Sequence, residues 1–127
     1  MTLEHIALYV SDLEAARAFF VDYFEAEPND GYHNPRTGLR TYFLTFAGGS
    51  RLELMRRPGI PEAGAREARL GYAHVAFKLG SREAVNALTE RLAADGYAVV
   101  SGPRTTGDGY YESCVEGFEG NLIELTE

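Results

Sequence analysis

The sequence has no tryptophan, a single cysteine and no long apolar run. Cys114 has no second cysteine to pair with, so packing rather than disulfides must hold the fold, and a reducing, cytoplasmic compartment is the expectation. Nothing approaches the roughly 20 consecutive apolar residues of a membrane-spanning helix. The opening Met1-Thr2-Leu3-Glu4-His5 lacks the basic-then-apolar pattern of a signal peptide. Basic residues are also scarce: 12 Lys and Arg against 19 Asp and Glu give a formal charge of −7. That balance argues against nucleic acid, whose phosphates require a basic footprint, and with less force against anionic membrane surfaces. What is present is ordinary globular composition, with 45% hydrophobic residues in 127 positions. This suffices for one compact domain or two fused halves of about 60 residues each.

The halves are visible as an internal repeat. Leu3-Glu4-His5-Ile6-Ala7-Leu8-Tyr9-Val10 is echoed by Tyr72-Ala73-His74-Val75-Ala76-Phe77-Lys78-Leu79. A serine follows each, Ser11 or Ser81, and then a helical pattern. Pro35-Arg36-Thr37-Gly38 matches Pro103-Arg104-Thr105-Thr106-Gly107, and the aromatic-rich strand candidates Tyr42–Phe46 and Tyr110–Val115 follow. Arg51-Leu52-Glu53-Leu54 and Leu122-Ile123-Glu124-Leu125 close the copies. Similar fragments in one shared order indicate duplication.

Each copy reads as a βαβββ unit. Residues 3–10 alternate, with Ile6, Leu8 and Val10 on one face and His5, Ala7 and Tyr9 on the other. Ser11 and Glu14 have the spacing of a capping box. The helix that follows should bury Leu13, Ala16, Phe20 and Phe24 and stop before Pro28. Strands are expected near 26–32, 40–47 and 50–56, with Gly48-Gly49 as a hairpin turn. In the second copy a strand over 71–79 leads to a helix from Ser81 to about Asp95, with an apolar stripe of Val85, Leu88 and Leu92 and Gly96 as its stop. Strands near 97–101, 109–116 and 121–126 complete it, with Glu119-Gly120-Asn121 turning into the last. The expected architecture is α+β: two βαβββ repeats, 1–56 and 70–127, in one domain spanning 1–127. The repeats form curled, mostly antiparallel sheets with helices outside. Pro58, Gly59, Pro61 and Gly64 make 57–69 a linker.

Two of the three histidines, His5 and His74, occupy equivalent repeat positions, and so do Glu53 and Glu124. Alternation places all four on the sheet face turned away from the helices. A carboxylate inside a cup is costly without a positive partner, and no Arg or Lys recurs opposite both glutamates. One divalent cation would satisfy two imidazoles and two carboxylates together, and that donor set suits Zn, Ni, Co, Mn or Fe rather than Ca or Mg. A lone strand histidine is more often a packed or solvated residue than a ligand. The duplication of the whole His/Glu pair is what favours a metal.

At these residues the sequence resembles the vicinal oxygen chelate superfamily, in which glyoxalase I, fosfomycin-resistance enzymes, extradiol dioxygenases and bleomycin-binding proteins share the paired βαβββ fold. The resemblance is carried by Leu3–Ala7, Val10–Ala16, Arg51–Leu54, Gly71–Phe77 and Glu119–Leu125, and it covers nearly the whole chain. Small bacterial glyoxalase I-like proteins, related to lactoylglutathione lyase, are the most similar group. The resemblance implies a metal-dependent lyase or isomerase acting on a small substrate that chelates through neighbouring oxygens. It further implies His5, Glu53, His74 and Glu124 as ligands of one Ni, Co or Zn ion, Glu124 or Glu53 as general base, and a homodimer that often shares its sites. Fosfomycin-type epoxide opening, acyl-thioester epimerisation and non-catalytic drug binding are the rival readings. Two departures argue against glutathione: Gly117-Phe118-Glu119-Gly120 replaces an Asp-Pro-acid-Gly turn, and Arg57 stands where bacterial glyoxalases carry an asparagine.

Tyr9 and Lys78, on the histidine faces, together with Arg57 and Tyr110, are the candidate substrate contacts. Solvated charge is the plainer reading of Arg57 and Lys78. His33 reads as a loop residue and Cys114 as a small buried group.

Overall fold

A computed structural model of the chain describes residues 3–61 and 71–127. Most of the expected linker, 62–69, therefore lies outside the described residues. The chain divides into two compact units, Met1–Gly64 and Ala65–Glu127.

The first unit runs β1 (His5–Tyr9), α1 (Leu13–Phe24), β2 (Glu27–Pro28), β3 (Tyr32–His33), β4 (Arg40–Thr45) and β5 (Arg51–Arg56). Its sheet has the order β1-β5-β4-β2, with β3 also on β4. Only the β1–β5 pairing is parallel. The single strand expected at 26–32 is broken in two, and His33 pairs with Arg40 rather than lying in a loop. Asn29 causes the break: its side-chain oxygen accepts from the N–H groups of Gly31, at 3.1 Å, and Phe43, at 3.0 Å, so the chain bulges there.

The α1 cap is Asp12 rather than Ser11; its carboxylate accepts from Ala15 N–H at 3.0 Å. The extended backbone of Asp12 lets its side chain fold back, and a carboxylate also complements the positive end of the helix dipole. The carbonyl of Ser11 instead accepts from Arg56 Nε at 2.8 Å. Leu13, Ala16, Phe19 and Phe20 are buried on the sheet, whereas Phe24 is only half-buried. On the polar side, Tyr42 donates its hydroxyl to Glu14 at 2.8 Å, and this hydrogen bond raises the phenol's pKa.

The helix ends on Glu25, held in the left-handed region at φ 54°. A residue with a Cβ costs about 1 kcal/mol there, which glycine avoids at the price of unfolded-chain entropy. Glu25→Gly is accordingly expected to stabilise the protein by a few tenths to about 1 kcal/mol, read from the midpoint of a urea transition.

The second unit repeats the plan: β6 (Val75–Lys78), α2 (Arg82–Ala94), β7 (Val99–Thr105), β8 (Tyr111–Glu116), a 3-10 turn at Phe118–Gly120, and β9 (Leu122–Thr126). The sheet order is β6-β9-β8-β7, again with one parallel pair, β6–β9. Ser81 caps α2 through Ala84 N–H, and Gly96, at φ 96°, closes it. The buried stripe is Val85, Thr89 and Leu92; Leu88 is half-buried. The buried Thr89 hydroxyl is satisfied by Val85 O and Ser113 Oγ, each at 2.6 Å.

The ladder of β6 begins only at Val75, so His74 sits one residue ahead of the strand expected over 71–79. The register of β7 on β8 shifts at Ser101 and again before Arg104. Gly102 stands between the shifts at φ 79°, where a Cβ would meet Glu112 O at 2.5 Å, so only glycine lets the strands approach there.

Leu44, Leu54, Leu92 and Leu125 are fully buried, and each burial contributes about 1.5–3 kcal/mol relative to exposure. Among the described residues no helix is long and apolar enough to cross a membrane.

Candidate metal centre

The two copies place their polar pairs by the same register. Glu53 on β5 stands opposite Ala7, and Glu124 on β9 stands opposite Ala76. In each copy that alanine is two residues beyond the histidine, so histidine and glutamate project from one sheet face. His5 Nε2 lies 3.7 Å from Glu53 Oε2, and His74 Nε2 lies 3.5 Å from Glu124 Oε2. Both glutamates are largely screened, with side-chain exposures of 16% and 20%, because buried leucine and isoleucine neighbours hold their strands against the helices. Both histidines are more open.

The donor chemistry fits a divalent metal. Two bonds of about 2.1 Å meeting at one ion span roughly 3–4 Å between their donors, depending on the angle, and both N–O separations fall in that range. Among the described residues, no group of three or more His, Cys, Asp or Glu side chains comes together that could hold an ion. Each unit holds one histidine–glutamate pair.

The surroundings of the two pairs differ. Around His5 the face carries Arg51, opposite His5, and Phe43, opposite Glu53. The Phe43 ring meets the imidazole edge-on with centroids 5.1 Å apart, and Arg51 lies over Phe43 at 4.5 Å. Glu4 contacts both His5 Nδ1 and Arg51.

Around His74 the face is open. A cleft of about 470 Å³ is lined by His74, Glu124, Glu112, Tyr110, Thr126 and the turn bearing Asp108. Glu112 is held by Arg104 at 3.3 Å. Thr126 Oγ1 is buried without a hydrogen-bond partner.

The candidate substrate contacts are placed unequally. Tyr110 lines the cleft. Lys78 is exposed at the end of β6, in register with Thr126, beside the cleft but not lining it. Tyr9 is exposed on the His5 face, 43% open. Arg57 is exposed just past the end of β5 and joins neither pair. Cys114 is half-buried and stands opposite Glu124, on the glutamate's face, rather than in the core. Glu112 and Thr126 were not singled out from the sequence. The signal was there: each lies two residues from a site-face position, Cys114 or Glu124, and side chains two apart along a strand share a face.

Comparison with known proteins agrees with this plan. The chain is 30% identical over 130 residues to the uncharacterized protein YqjT of Bacillus subtilis, covering 97% of this chain and 96% of the relative. A glyoxylase/bleomycin resistance protein/dioxygenase domain from Frankia superposes with a TM-score of 0.82 at 19% identity, over 99% of this chain and 96% of that one. The fosfomycin resistance protein FosX of Listeria monocytogenes, solved with Mn(II) and sulfate, superposes with a TM-score of 0.74 at 25% identity, covering 98% of this chain and 90% of FosX. The profile of one family matches residues 2–125, and the chain belongs to that family, the Glyoxalase/Bleomycin resistance protein/Dioxygenase superfamily.

Proposed function

We propose that His5, Glu53, His74 and Glu124 hold one divalent metal ion, and that the chain is a glyoxalase I-like lyase or isomerase for a small substrate with neighbouring oxygens. The supporting observation is the duplicated imidazole–carboxylate pair, set by the same register in both copies at 3.7 and 3.5 Å. Two pairs supply four protein donors, and a six-coordinate ion held by them keeps two positions open for water or substrate, whether the pairs come from one chain or from two chains of a homodimer. Ni, Co or Zn is the leading choice, and Mn or Fe also suits the donors.

Held by His5, Glu53, His74 and Glu124, the ion would supply Lewis-acid polarisation of a substrate carbonyl. The rest falls to the chain's own groups. His5 and His74 would hold the ion through their ring nitrogens. Glu124 borders the cleft beside the unpartnered Thr126 hydroxyl, placed to accept a proton from a substrate lodged there and to return it to the adjacent carbon. Glu53 is the corresponding base on the other pair. The screened position of Glu124 limits competition from water.

Epoxide opening is the second reading, favoured by the similarity to FosX. Lys78, in register with the cleft-lining Thr126, and Arg104, which holds the cleft-lining Glu112, would then meet an anionic substrate. Non-catalytic drug binding is disfavoured by the presence of all four candidate ligands in the sequence.

The test begins with the metal. Purified protein is expected to contain about one divalent ion per site by elemental analysis. A free metal concentration a hundredfold above its Kd should add about 2.7 kcal/mol of stability, visible as a rise in Tm. Turnover is then assayed with the hemithioacetal of methylglyoxal and with fosfomycin. Protein without metal and without metal-dependent stabilisation refutes the centre, and turnover of fosfomycin alone replaces the lyase reading with the second.

A further inference from the structure

The two half-sites are not equivalent, and the difference lies in what stands behind the imidazoles. Glu4 faces His5 Nδ1. A carboxylate only accepts hydrogen bonds, and a neutral imidazole carries one N–H. In the neutral form that binds a metal, the proton of His5 therefore sits on Nδ1 and the lone pair on Nε2, the nitrogen 3.7 Å from Glu53 Oε2. In that form a metal cation between Nε2 and Glu53 Oε2 satisfies both acceptors. The carboxylate of Glu4 is itself engaged by Arg51, whose guanidinium covers Phe43, and Phe43 meets the His5 ring edge-on. Glu4, Arg51, Phe43 and His5 thus form a closed ring of contacts on one face of the first sheet.

The second copy has none of this. Ala73 precedes His74 where Glu4 precedes His5, Leu122 replaces Arg51, and Cys114 replaces Phe43 opposite the glutamate. His74 borders an open cleft instead.

We propose that Glu4 is a positioning residue. It fixes the tautomer and ring orientation of His5 so that Nε2 is presented to the cation, and so makes the first pair the anchor. The second pair, unbraced and open, is the side where ligands exchange. An outer-shell carboxylate behind a ligating histidine raises its basicity and fixes its orientation, and its loss lowers metal affinity about 10–100-fold. The inference rests on the metal reading above for its consequence, but not for the imidazole orientation itself.

The experiment uses the full chain, wild type against Glu4→Ala and Glu4→Gln. Mn2+ and Zn2+ are each titrated by calorimetry, and the metal-free proteins are compared by 15N spectra of the histidine rings, recorded at a pH high enough that the ring signals no longer change with pH. Glu4 lies outside the core, so both variants should fold. Glu4→Ala is expected to weaken metal binding about 10–100-fold and to convert the His5 ring from Nδ1–H to the tautomer mixture of a free imidazole, with His74 unchanged. Glu4→Gln, which keeps an acceptor, should recover part of both effects. Unchanged affinity, or an unchanged His5 tautomer, in Glu4→Ala overturns the proposal. A wild-type chain that binds neither metal sinks the metal reading, and the ring spectra alone then uphold or overturn the orientation of His5 by Glu4.

Discussion

Glu124→Gln is expected to lower kcat by about 10²–10⁴-fold, the usual contribution of a general base, while the protein keeps its metal. The amide matches the carboxylate in shape and still presents an oxygen to the ion, but it cannot accept a proton at neutral pH. Its neighbours make the substitution a clean one. Ile123 and Leu125 are buried on the other face and hold β9 in place, and Cys114 stands opposite. Glu53→Gln is the internal control, because the two glutamates share their register but not their surroundings. A base at Glu124 leaves Glu53→Gln with the smaller loss in kcat; equal losses mean that both carboxylates transfer protons, as a substrate with two exchangeable faces would require. The measurement is kcat and bound metal on the same preparations, with whichever substrate of the panel turns over. Full activity in Glu124→Gln removes it from proton transfer, and parallel loss of metal and activity reduces it to a ligand.

The fold was legible because duplication repeats every signal. Period-two alternation in residues 5–10 and again in 75–79 gave the two sheet faces, and the burial pattern follows that alternation residue by residue. The glutamates were assigned to the same face by the same parity, and their register opposite Ala7 and Ala76 agrees. What escaped was local competition for backbone hydrogen bonds. Asn29 diverts a strand by binding two N–H groups, and Asp12 takes the cap because it, not Ser11, stands seven residues beyond its histidine as Ser81 does. Neither changes the hydrophobic pattern, so neither is visible to an argument from periodicity. The thirteen-residue α2 shows the opposite failure. A stripe of purely apolar residues selects Leu88, whereas the interior takes Thr89, because the Ser113 hydroxyl across the interface makes a polar residue satisfiable there.

Side-chain partners around the site were the least legible. Arg51 and Phe43 are far from His5 in sequence, and the parallel pairing of β1 with β5 and the antiparallel pairing of β4 with β5 bring them to its face; Glu4, just ahead of β1, joins them through its side-chain contacts. The repeat also obscures them, since it directs attention to what the copies share. The differences at Glu4 and Ala73, and at Phe43 and Cys114, are where the two halves can divide their labour.

Leu125→Ala is expected to destabilise the protein by about 2–5 kcal/mol and to lower Tm by roughly 10 °C or more. Leu125 is fully buried, lies between Phe77 and Ser113 in the sheet, and fills the space under α2. Truncation leaves a cavity that neighbours close only in part. The adjacent Thr126→Val should behave in the opposite sense. Its buried hydroxyl has no partner, so replacing it by a methyl group removes a desolvated polar atom at nearly constant volume. Stability is expected to be unchanged or to rise by up to about 1–3 kcal/mol, the cost of leaving such a group unsatisfied. Adjacent positions on one strand thus separate two demands: the inward side chain holds β9 on its helix, and the outward one tolerates a cost because it borders the cleft beside Glu124. Thermal melts of both variants, with substrate KM measured on Thr126→Val, decide the matter. A stabilised Thr126→Val with raised KM shows the hydroxyl reserved for a ligand, and a destabilised one shows that it serves the fold instead.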